Sequence, residues 1–344
     1  MRKADPSPSL KTVRPVKLTK KLKLAIFLTV CCWLSFSNPI SASDEETIKA
    51  YKIGISEWTG YPESVRGFKN SMEAGGFVEG RNVIYMDRKS GLDSDKQRQI
   101  ALSFRNAGVD LVYSLTTPGT LIMKQIIPEN TPIVFSIVAY PADCGLIESF
   151  EYSGNNLVGT SNYVELTNYI GLLKLALPQA RSMAIFRRKT EPNSKIQAAN
   201  IIRLASKRGI HVIDLPLDSV DEVRESALKL AGQVDVFMTT TDTLMQGGGE
   251  QALIGVSLEK KIPILSSNKI GIEQGSTFGV VADFYVLGQM SGQMAVKILK
   301  ENIRPAQLES TIEDPPLTLI NRRSVGLLGI SIPEDKLQNY KYLE

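Results

Sequence analysis

The sequence predicts an α/β fold of two lobes that face each other across a cleft. Short apolar runs rich in β-branched residues alternate with amphipathic segments through short connections, which is typical of parallel sheets covered by helices. About 300 residues follow a leader-like stretch at the start of the 344-residue chain, more than one hydrophobic core usually serves. Polar residues follow the apolar runs repeatedly, and in open parallel sheets ligands bind beyond the carboxyl ends of the strands.

Residues 1–43 have the pattern of a secretory signal peptide. Eight basic residues and one acid stand within residues 1–23, and an apolar run over residues 24–36 precedes the small residues SNPISAS. A basic head, a short apolar core and a small-residue site make a signal peptide, whereas a membrane span needs about 20 apolar residues. We therefore expect export to the periplasm or another extracytoplasmic space. A lipid anchor at Cys31 or Cys32 is the weaker interpretation, because a valine precedes the pair where a small residue is needed.

Charge and cysteine content narrow the classes of function. The whole chain has 40 basic and 36 acidic residues, but the part after residue 43 has 32 and 35, a net charge of −3. The excess of basic residues thus lies in residues 1–43, so the charge of the rest of the chain does not favour a nucleic-acid partner. Cys144 is the one cysteine after residue 43, so no intrachain disulfide can form there.

In the first lobe, four apolar runs predict buried strands with helices between them. The most regular run lies in the segment TPIVFSIVAYPADCGL, which breaks into a polar loop at Tyr140 and Pro141. Pro62 opens the first helix, and the glycines at 75 and 76 end it. The predicted strands are residues 51–56, 82–86, 110–115 and 133–138.

Side chains that follow these strands are candidates for a ligand pocket, because the carboxyl ends of parallel strands meet at one sheet edge. They offer a carboxylate, hydroxyl groups and flat rings, and they are Glu57, Trp58, Tyr61, Thr116, Thr117 and Tyr140. A structural interpretation stays open for most of them. The two threonines can simply cap the next helix, Trp58 and Tyr61 can pack under a loop, and Tyr140 can belong to a turn.

The same alternation restarts in a second lobe after the turn cluster SGNN at residues 153–156. Candidate pocket residues again follow strands: Asn193, Ser194, Thr241, Asp242 and Asn268. The predicted strands are residues 182–186, 210–215, 234–238 and 263–265, with helices between them and a further helix over residues 287–300.

Two features of the second lobe predict a site for a zwitterion. Asn193 and Ser194 directly precede a predicted helix, where free backbone N–H groups suit a carboxylate. Asp242, at a later strand end, suits an amine. The alternative is that Ser194 and Asp242 are ordinary helix caps. The triple glycine at residues 247–249 lacks the phosphate-loop pattern and predicts a break inside or before a helix.

The chain is predicted to pass between the lobes more than once, which makes a hinge. Residues 157–161 form a short strand or a crossing, and residues 277–284 form a second crossing. We therefore divide the chain into a signal peptide (1–43), a first lobe (44–157 with 283–310) and a second lobe (158–282 with 311–344).

No recognised catalytic or cofactor-binding pattern occurs in the sequence. The single histidine, His211, lies in an apolar strand run, and Cys144 has no histidine at a recognisable spacing. The patterns HExxH, CxxC, GxSxG and a GxGxxG after a strand are missing. We therefore expect a binding protein without a cofactor or metal rather than an enzyme.

A series of segments from Ile53 to about Pro333 resembles the solute-binding proteins of ABC transporters in the tryptophan/tyrosine-binding group. The resemblance implies a type I periplasmic-binding fold, with two Rossmann-like lobes, a multi-stranded hinge and the ligand in the cleft. It also implies that a membrane permease and an ATPase receive the closed form. The segments are PIVFSIVAYPADCGL, SGNNLVGTSN, EPNS, VDVFMTTTDT, IPILSSN, ADFYVLGQMSGQMAVKIL and LINRRSVGLLGISIP.

By position, the resemblance places ligand contacts on ten of the residues of this chain. This chain departs from the family pattern at residues 58–62, where many members have His-Pro, and at residues 241–243, where many have Thr-Asp-Asn. The departures leave open whether the ligand is an aromatic amino acid. The ten positions are Glu57, Trp58, Thr116, Thr117, Tyr140, Asn193, Ser194, Asp242, Asn268 and Asp283.

Together these features predict a monomeric extracytoplasmic protein that captures an amino acid or related zwitterion and delivers it to an ABC transporter. The alternative is a ligand-sensing module that docks on a membrane receptor, which the sequence does not separate from the first hypothesis. A repressor with the same two lobes is disfavoured, because a signal peptide occupies the place of its N-terminal DNA-binding domain.

Overall fold

Two mainly parallel β-sheets, each covered by helices, make up the described part of the chain, residues 49–337 and 340–344 of a computed structural model. The alternation of strands and helices confirms the predicted α/β class. The predicted signal peptide at residues 1–43 lies outside the described residues. Within these residues, no helix is both long enough and apolar enough to cross a membrane.

The elements are short and follow one another closely along the chain. The strands are β1 (Tyr51–Glu57), β2 (Val83–Lys89), β3 (Leu111–Leu115), β4 (Ile133–Ser136), β5 (Leu157–Ser161), β6 (Ser182–Arg188), β7 (His211–Leu217), β8 (Val236–Thr239), β9 (Ile264–Ser266), β10 (Phe278–Val281), β11 (Thr311–Ile312), β12 (Leu317–Asn321) and β13 (Tyr340–Leu343). The helices are α1 (Pro62–Ala74), α2 (Ser94–Ala107), α3 (Thr117–Ile126), α4 (Leu166–Ala176), α5 (Pro192–Ser206), α6 (Val220–Leu230), α7 (Glu250–Lys260), α8 (Lys269–Gln274), α9 (Phe284–Glu301) and α10 (Arg322–Leu328).

The first sheet has the strand order β11-β5-β4-β3-β1-β2, and its pairs are all parallel. The second has the order β13-β12-β10-β9-β8-β6-β7, in which β10 and β12 run antiparallel. Strands β3, β4 and β8 are buried at every residue, because helices cover both faces of each sheet. This double burial explains why the sequence shows continuous apolar runs instead of alternation.

Helices α1 and α9 approach so closely that glycine is required where they touch. A Cβ atom on Gly67 would lie 2.1 Å from the carbonyl oxygen of Tyr285, and the reverse contact from Gly288 would be equally short. A side chain cannot enter that space, so only glycine lets the two backbones meet. The contact brings Tyr61, just before α1, against Phe284 at the start of α9, with ring centroids 5.7 Å apart.

Within residues 49–337 the chain passes between the two sheets after β5, after β10 and after β11. At the second crossing Asp283 pairs with Lys269, with 2.5 Å between Oδ2 and Nζ. The backbone N–H of Asp283 donates to Glu313, at the third crossing, over 2.5 Å. Burial raises the pKa of the Asp283 carboxyl, but the Lys269 ammonium and the backbone N–H groups of Tyr285 and Val286 together outweigh burial and hold this pKa below its ordinary value. The second and third crossings are thus tied together.

The lobe boundaries remain our proposal, and the strand pairing suggests an adjustment to them. All of β5 pairs with the first sheet, since its Val158 and Gly159 lie beside β4. Strand β11 pairs with β5 through Thr311 and Ile312. We therefore propose that the first lobe extends to about Ser161 and again to Ile312, beyond the limits of 157 and 310 expected from the sequence.

Candidate functional site

A small cavity lies between the two sheets, where the polar ends of their strands face each other. Its volume is about 10 Å³, room for about one water molecule, so side chains of the two lobes meet across it. We call this cavity with its lining the cleft. The lining residues are Tyr61, Thr116, Thr117, Pro118, Ile137, Asn162, Glu191, Asn193, Thr241, Asp242, Thr243 and Gln246.

Several polar atoms of the cleft are buried without a hydrogen-bond partner. Buried polar atoms are almost always paired, and leaving one unpaired costs about 1–3 kcal/mol. A concentration of such atoms around one cavity therefore indicates a surface that binds polar groups of a ligand. The atoms are Tyr61 Oη, Thr116 Oγ1, Asn162 Oδ1, Asn193 Oδ1 and Gln246 Oε1.

The backbone is strained at two residues that line the cleft. Thr116, after β3, has φ 72° and ψ 157°, a conformation that is nearly exclusive to glycine. Ile137, after β4, has φ 57°, which is rare for a β-branched residue. Strain of this kind persists where the surrounding structure enforces it, and it concentrates at ligand-binding sites. The two strained residues therefore mark the first lobe's side of the cleft.

Of the twelve side chains predicted from the sequence, the cleft brings six together. Three come from the first lobe, in the loops after β1 and β3 and at the start of α3, and three come from the second lobe. They are Tyr61, Thr116, Thr117, Asn193, Thr241 and Asp242.

Glu57, the last residue of β1, and Trp58, in the loop that follows, do not line the cleft. The Glu57 carboxylate is almost fully buried and accepts a hydrogen bond from the backbone N–H of Tyr61 at 3.0 Å. Lys89 lies 3.3 Å away on the other oxygen. Burial raises the pKa of Glu57, and the Tyr61 N–H opposes that effect. Glu57 thus fixes the loop that carries Tyr61, while Trp58 is buried with an indole N–H that has no partner.

Three further candidates support the cleft or the crossings from outside its lining. Tyr140 packs edge-to-face on Tyr163, with ring centroids 5.5 Å apart. Asp283 accepts a hydrogen bond from the N–H of Tyr285 and caps α9. Asn268 lines a neighbouring cavity of about 230 Å³. This second cavity shares Tyr61 and Gln246 with the cleft.

Asp242 has the contacts of the helix cap considered as its alternative role, whereas Ser194 lies inside the first turn of α5, whose N-cap position is Glu191, and does not cap the helix. Ser194 Oγ donates to the carbonyl oxygens of Arg188 and Glu191, at 2.7 and 3.0 Å. Both Asp242 oxygens accept two hydrogen bonds each, from backbone N–H groups at 2.9 Å and from the Thr240 hydroxyl. Burial raises the pKa of Asp242, and these donors oppose that effect. Asp242 thus organises the turn after β8.

Glu191 is the acid of the cleft that the sequence argument missed. Its side chain is 5% exposed, accepts hydrogen bonds from the hydroxyl and the N–H of Thr243, and lies 3.6 Å from Arg188 Nε. Burial, followed by the charge of Asp242, raises the pKa of Glu191 to about 7. A signal was available, because Glu191 takes the N-cap position of α5, where Ser, Thr, Asp or Asn is usual.

Asn162 and Gln246 were also missed, although each follows or precedes a recognisable feature. Asn162 comes directly after β5. Gln246 directly precedes the glycine run and lies in a π-helical turn, Met245–Gly249, before α7. The predicted break at the triple glycine is confirmed, with φ 118° at Gly248. Within the described residues, no cluster of three His, Cys, Asp or Glu side chains could hold a metal ion.

Two α/β sheets, three crossings and a polar cleft between the strand ends define a two-lobed solute-binding protein. Residues 53–341 match the family model described as ABC transporter substrate binding protein. The chain belongs to this family. Members of the family bind solutes and are not enzymes, in agreement with the sequence prediction.

Individual relatives are similar over most of their length. A protein named "Tyrosine-binding protein" from Clostridioides difficile (strain R20291) is 27% identical over 321 residues, which cover 92% of each chain. The solved structure of an ABC domain in complex with L-Trp from Streptococcus pneumonia has a TM-score of 0.81 at 23% identity, over 86% of this chain and 100% of that chain. The ligand-free, open structure of a substrate-binding protein with adhesive properties from Clostridium difficile has a TM-score of 0.67 at 27% identity, with the same coverage. These structures support the type I fold.

Proposed function

We propose that this protein captures an amino acid or a related zwitterion in the cleft and delivers it to an ABC transporter permease and its ATPase. The observation that carries the proposal is the set of five buried polar atoms without partners around one cavity. The relative named for tyrosine binding and the L-Trp complex support the amino-acid class. Delivery to a permease and ATPase follows from family membership.

The cellular setting belongs to the same proposal. Proteins of this family are typically extracytoplasmic, and the sequence of residues 1–43 has a signal-peptide pattern. We infer that the protein works as a monomer outside the cytoplasm. The ligand enters while the lobes are apart, and the crossings after β5, β10 and β11 act as the hinge on which they close.

Binding residues are assigned within this proposal from the lining of the cleft. The ligand contacts Thr116 and Tyr61 on the first lobe, and Asn193 on the second. Glu57, Asp242 and Asn268 do not contact the ligand in this assignment. They hold in place the backbone and the side chains that do. The phenol of Tyr61 and the ring of Phe284 also border the larger neighbouring cavity, which provides space for the ligand's side chain when the lobes separate.

Thermal unfolding of the purified protein against amino acids, small peptides, sugars and purines tests the proposal. A ligand that binds only the folded state stabilises it by about 2.7 kcal/mol at about 100 times its dissociation constant. We expect a rise in Tm with one or more amino acids. A rise with sugars or purines alone would contradict the amino-acid class, and no rise with any compound would contradict solute capture from this panel.

A pair of variants on one helix tests the location of the site. Asn193→Ala removes a cleft-lining amide whose Oδ1 has no partner in the folded protein. Asn200→Ala removes an amide on the same helix that bonds only the carbonyl oxygen of Ile196. Affinity for the amino acid found in the thermal screen should fall in the first variant alone. Equal affinities in both variants would place the site elsewhere.

A further inference from the structure

We propose that Glu191 and the amide oxygens of Asn162, Asn193 and Gln246 form a subsite that binds the ligand's ammonium group. This inference rests on the proposed function, since it assigns one half of the same cleft. It also gives the amine a different partner from Asp242, the residue expected from the sequence.

The polarity of the unpaired atoms carries the first step. Three of the five are amide oxygens, which can only accept hydrogen bonds, and the other two are hydroxyl groups, which can accept or donate. The carboxylate of Glu191 adds further acceptors, and neither Lys nor Arg lines the cleft. A group that satisfies such a surface must bring donors and positive charge. An ammonium group brings three donors and one charge.

The orientation of the Asn193 amide is fixed by its surroundings. Its Nδ2 donates to the carbonyl oxygen of Thr241 at 2.8 Å. A backbone carbonyl can only accept, so the nitrogen must face Thr241 and the oxygen must face the cleft. Asn193 is 5% exposed, which leaves its unpaired oxygen no access to bulk water.

A chain of three side chains fixes the orientation of Gln246 in the same way. The buried Glu250 carboxylate accepts a hydrogen bond from Asn268 Nδ2 at 2.7 Å. Asn268 must therefore turn its Oδ1 away, and that oxygen accepts from Gln246 Nε2 at 2.9 Å. Gln246 is left with its oxygen, Oε1, as the buried and unpaired atom. Glu250 and Asn268 are thus positioning residues, which keep an acceptor rather than a donor on the cleft.

Glu191 has acceptor capacity to spare, whereas Asp242 has none. A carboxylate offers about four acceptor positions, and Asp242 fills them with four donors from its own turn. Glu191 accepts two hydrogen bonds from Thr243 and has Arg188 Nε at 3.6 Å. An ammonium group therefore finds a free acceptor position on Glu191.

The charged and titratable groups that face Glu191 make its ionisation sensitive to the ligand. Asp242 raises the pKa of Glu191, Arg188 and Thr243 lower it, and burial is the largest effect, which together give about 7. Tyr61, from the first lobe, is a phenol whose own pKa burial raises, so it adds no charge near neutral pH. Because ammonium binds the ionised carboxylate, affinity should fall by up to about tenfold for each pH unit below about 7.

Calorimetric titration with matched compounds tests the ammonium subsite. L-tyrosine is compared with 3-(4-hydroxyphenyl)propanoate, and L-tryptophan with indole-3-propanoate, since each second compound lacks only the ammonium group. The wild-type protein should bind the amino acids more tightly by about 10- to 150-fold, the range for one charge-assisted hydrogen bond. Glu191→Gln should remove most of this preference and the loss of affinity between pH 7 and pH 5. The exposed Asp218→Asn serves as the matched control, because Asp218 pairs with Lys189 on the surface.

A second variant keeps the test decisive if Glu191→Gln folds poorly. Gln246→Leu removes one cleft oxygen from a partly exposed residue and should weaken binding of the two amino acids but not of their deaminated analogues. If the wild-type protein binds each amino acid and its analogue equally, or if both variants retain the preference, the ammonium subsite is refuted while solute capture stands. If none of the four compounds binds, the ammonium subsite is refuted for aromatic amino acids, whereas capture of another amino acid is decided by the thermal screen.

Discussion

Replacing Thr116 by glycine should stabilise the protein while it weakens ligand binding. The backbone of Thr116, with φ 72° and ψ 157°, costs about 1–3 kcal/mol in a residue other than glycine, and its buried hydroxyl without a partner costs about 1–3 kcal/mol more. Two effects of glycine lower the stability of the variant. The greater freedom of its unfolded chain costs about 0.5–1 kcal/mol, and the loss of the buried threonine methyl costs about 0.8 kcal/mol. The gains exceed the losses throughout these ranges, so the free energy of unfolding should rise, by between about 0.2 and about 4.7 kcal/mol.

The adjacent residue supplies a matched control for this substitution. Thr117 is also buried, at 2% exposure, but it lies inside α3 and has no positive φ. Thr117→Gly suffers both losses without relief of strain, so it should lower the free energy of unfolding by about 1.5 kcal/mol. Urea titration without ligand measures both variants. The reasoning is refuted if Thr116→Gly is no more stable than Thr117→Gly.

Three other substitutions test the packing, the buried acid and the hinge. Gly67→Ala should destabilise the protein by about 1–3 kcal/mol, because the new Cβ meets a carbonyl oxygen. Gly171→Ala, in a helix with open space around it, should stabilise the protein by about 0.5–1 kcal/mol. Equal changes in the free energy of unfolding, measured by urea titration, would contradict the packing argument. Burial raises the folded pKa of Glu191 from 4.5 to about 7, so the wild-type protein loses stability as pH rises through that interval and Glu191→Gln does not. A stability difference between the two that is the same at pH 5 and pH 8 would show that the acid is not perturbed. Lys269→Met should change the free energy of unfolding by no more than about 1 kcal/mol, since both partners of its ion pair are partly exposed. A larger loss in urea titration would contradict the view that this is an ordinary, partly exposed ion pair.

The general position of the cleft could be predicted because it follows from strand direction. Thr116 and Asn193 occur near the carboxyl ends of parallel strands, and such ends meet at one edge whatever the loops do. The α/β class could be predicted for the same reason, since buried strands and amphipathic helices have distinct patterns. These features depend on residues that are near one another in the chain.

The roles of individual side chains could not be predicted, because they depend on contacts between distant segments. Whether Gln246 presents an oxygen or a nitrogen depends on Asn268 and Glu250, on two different helical segments. Trp58 and Tyr140 follow strands as Thr116 does, yet neither belongs to the lining of the cleft. Strand order identifies the edge, but only the packed structure decides which side chains turn toward it.

The glycine contact between α1 and α9 has a mechanical consequence for the opening of the lobes. Because the two helices touch backbone to backbone at Gly67 and Gly288, we expect them to move together as one rigid unit. Tyr61, just before α1, and Phe284, at the start of α9, lie at the same end of this helix pair. Phe284 follows directly after the second crossing. Any bending at this crossing must then be confined to the short segment from Val281, the end of β10, to Asp283. Rotation about this segment would move the Tyr61 ring relative to the residues of the second lobe that line the cleft.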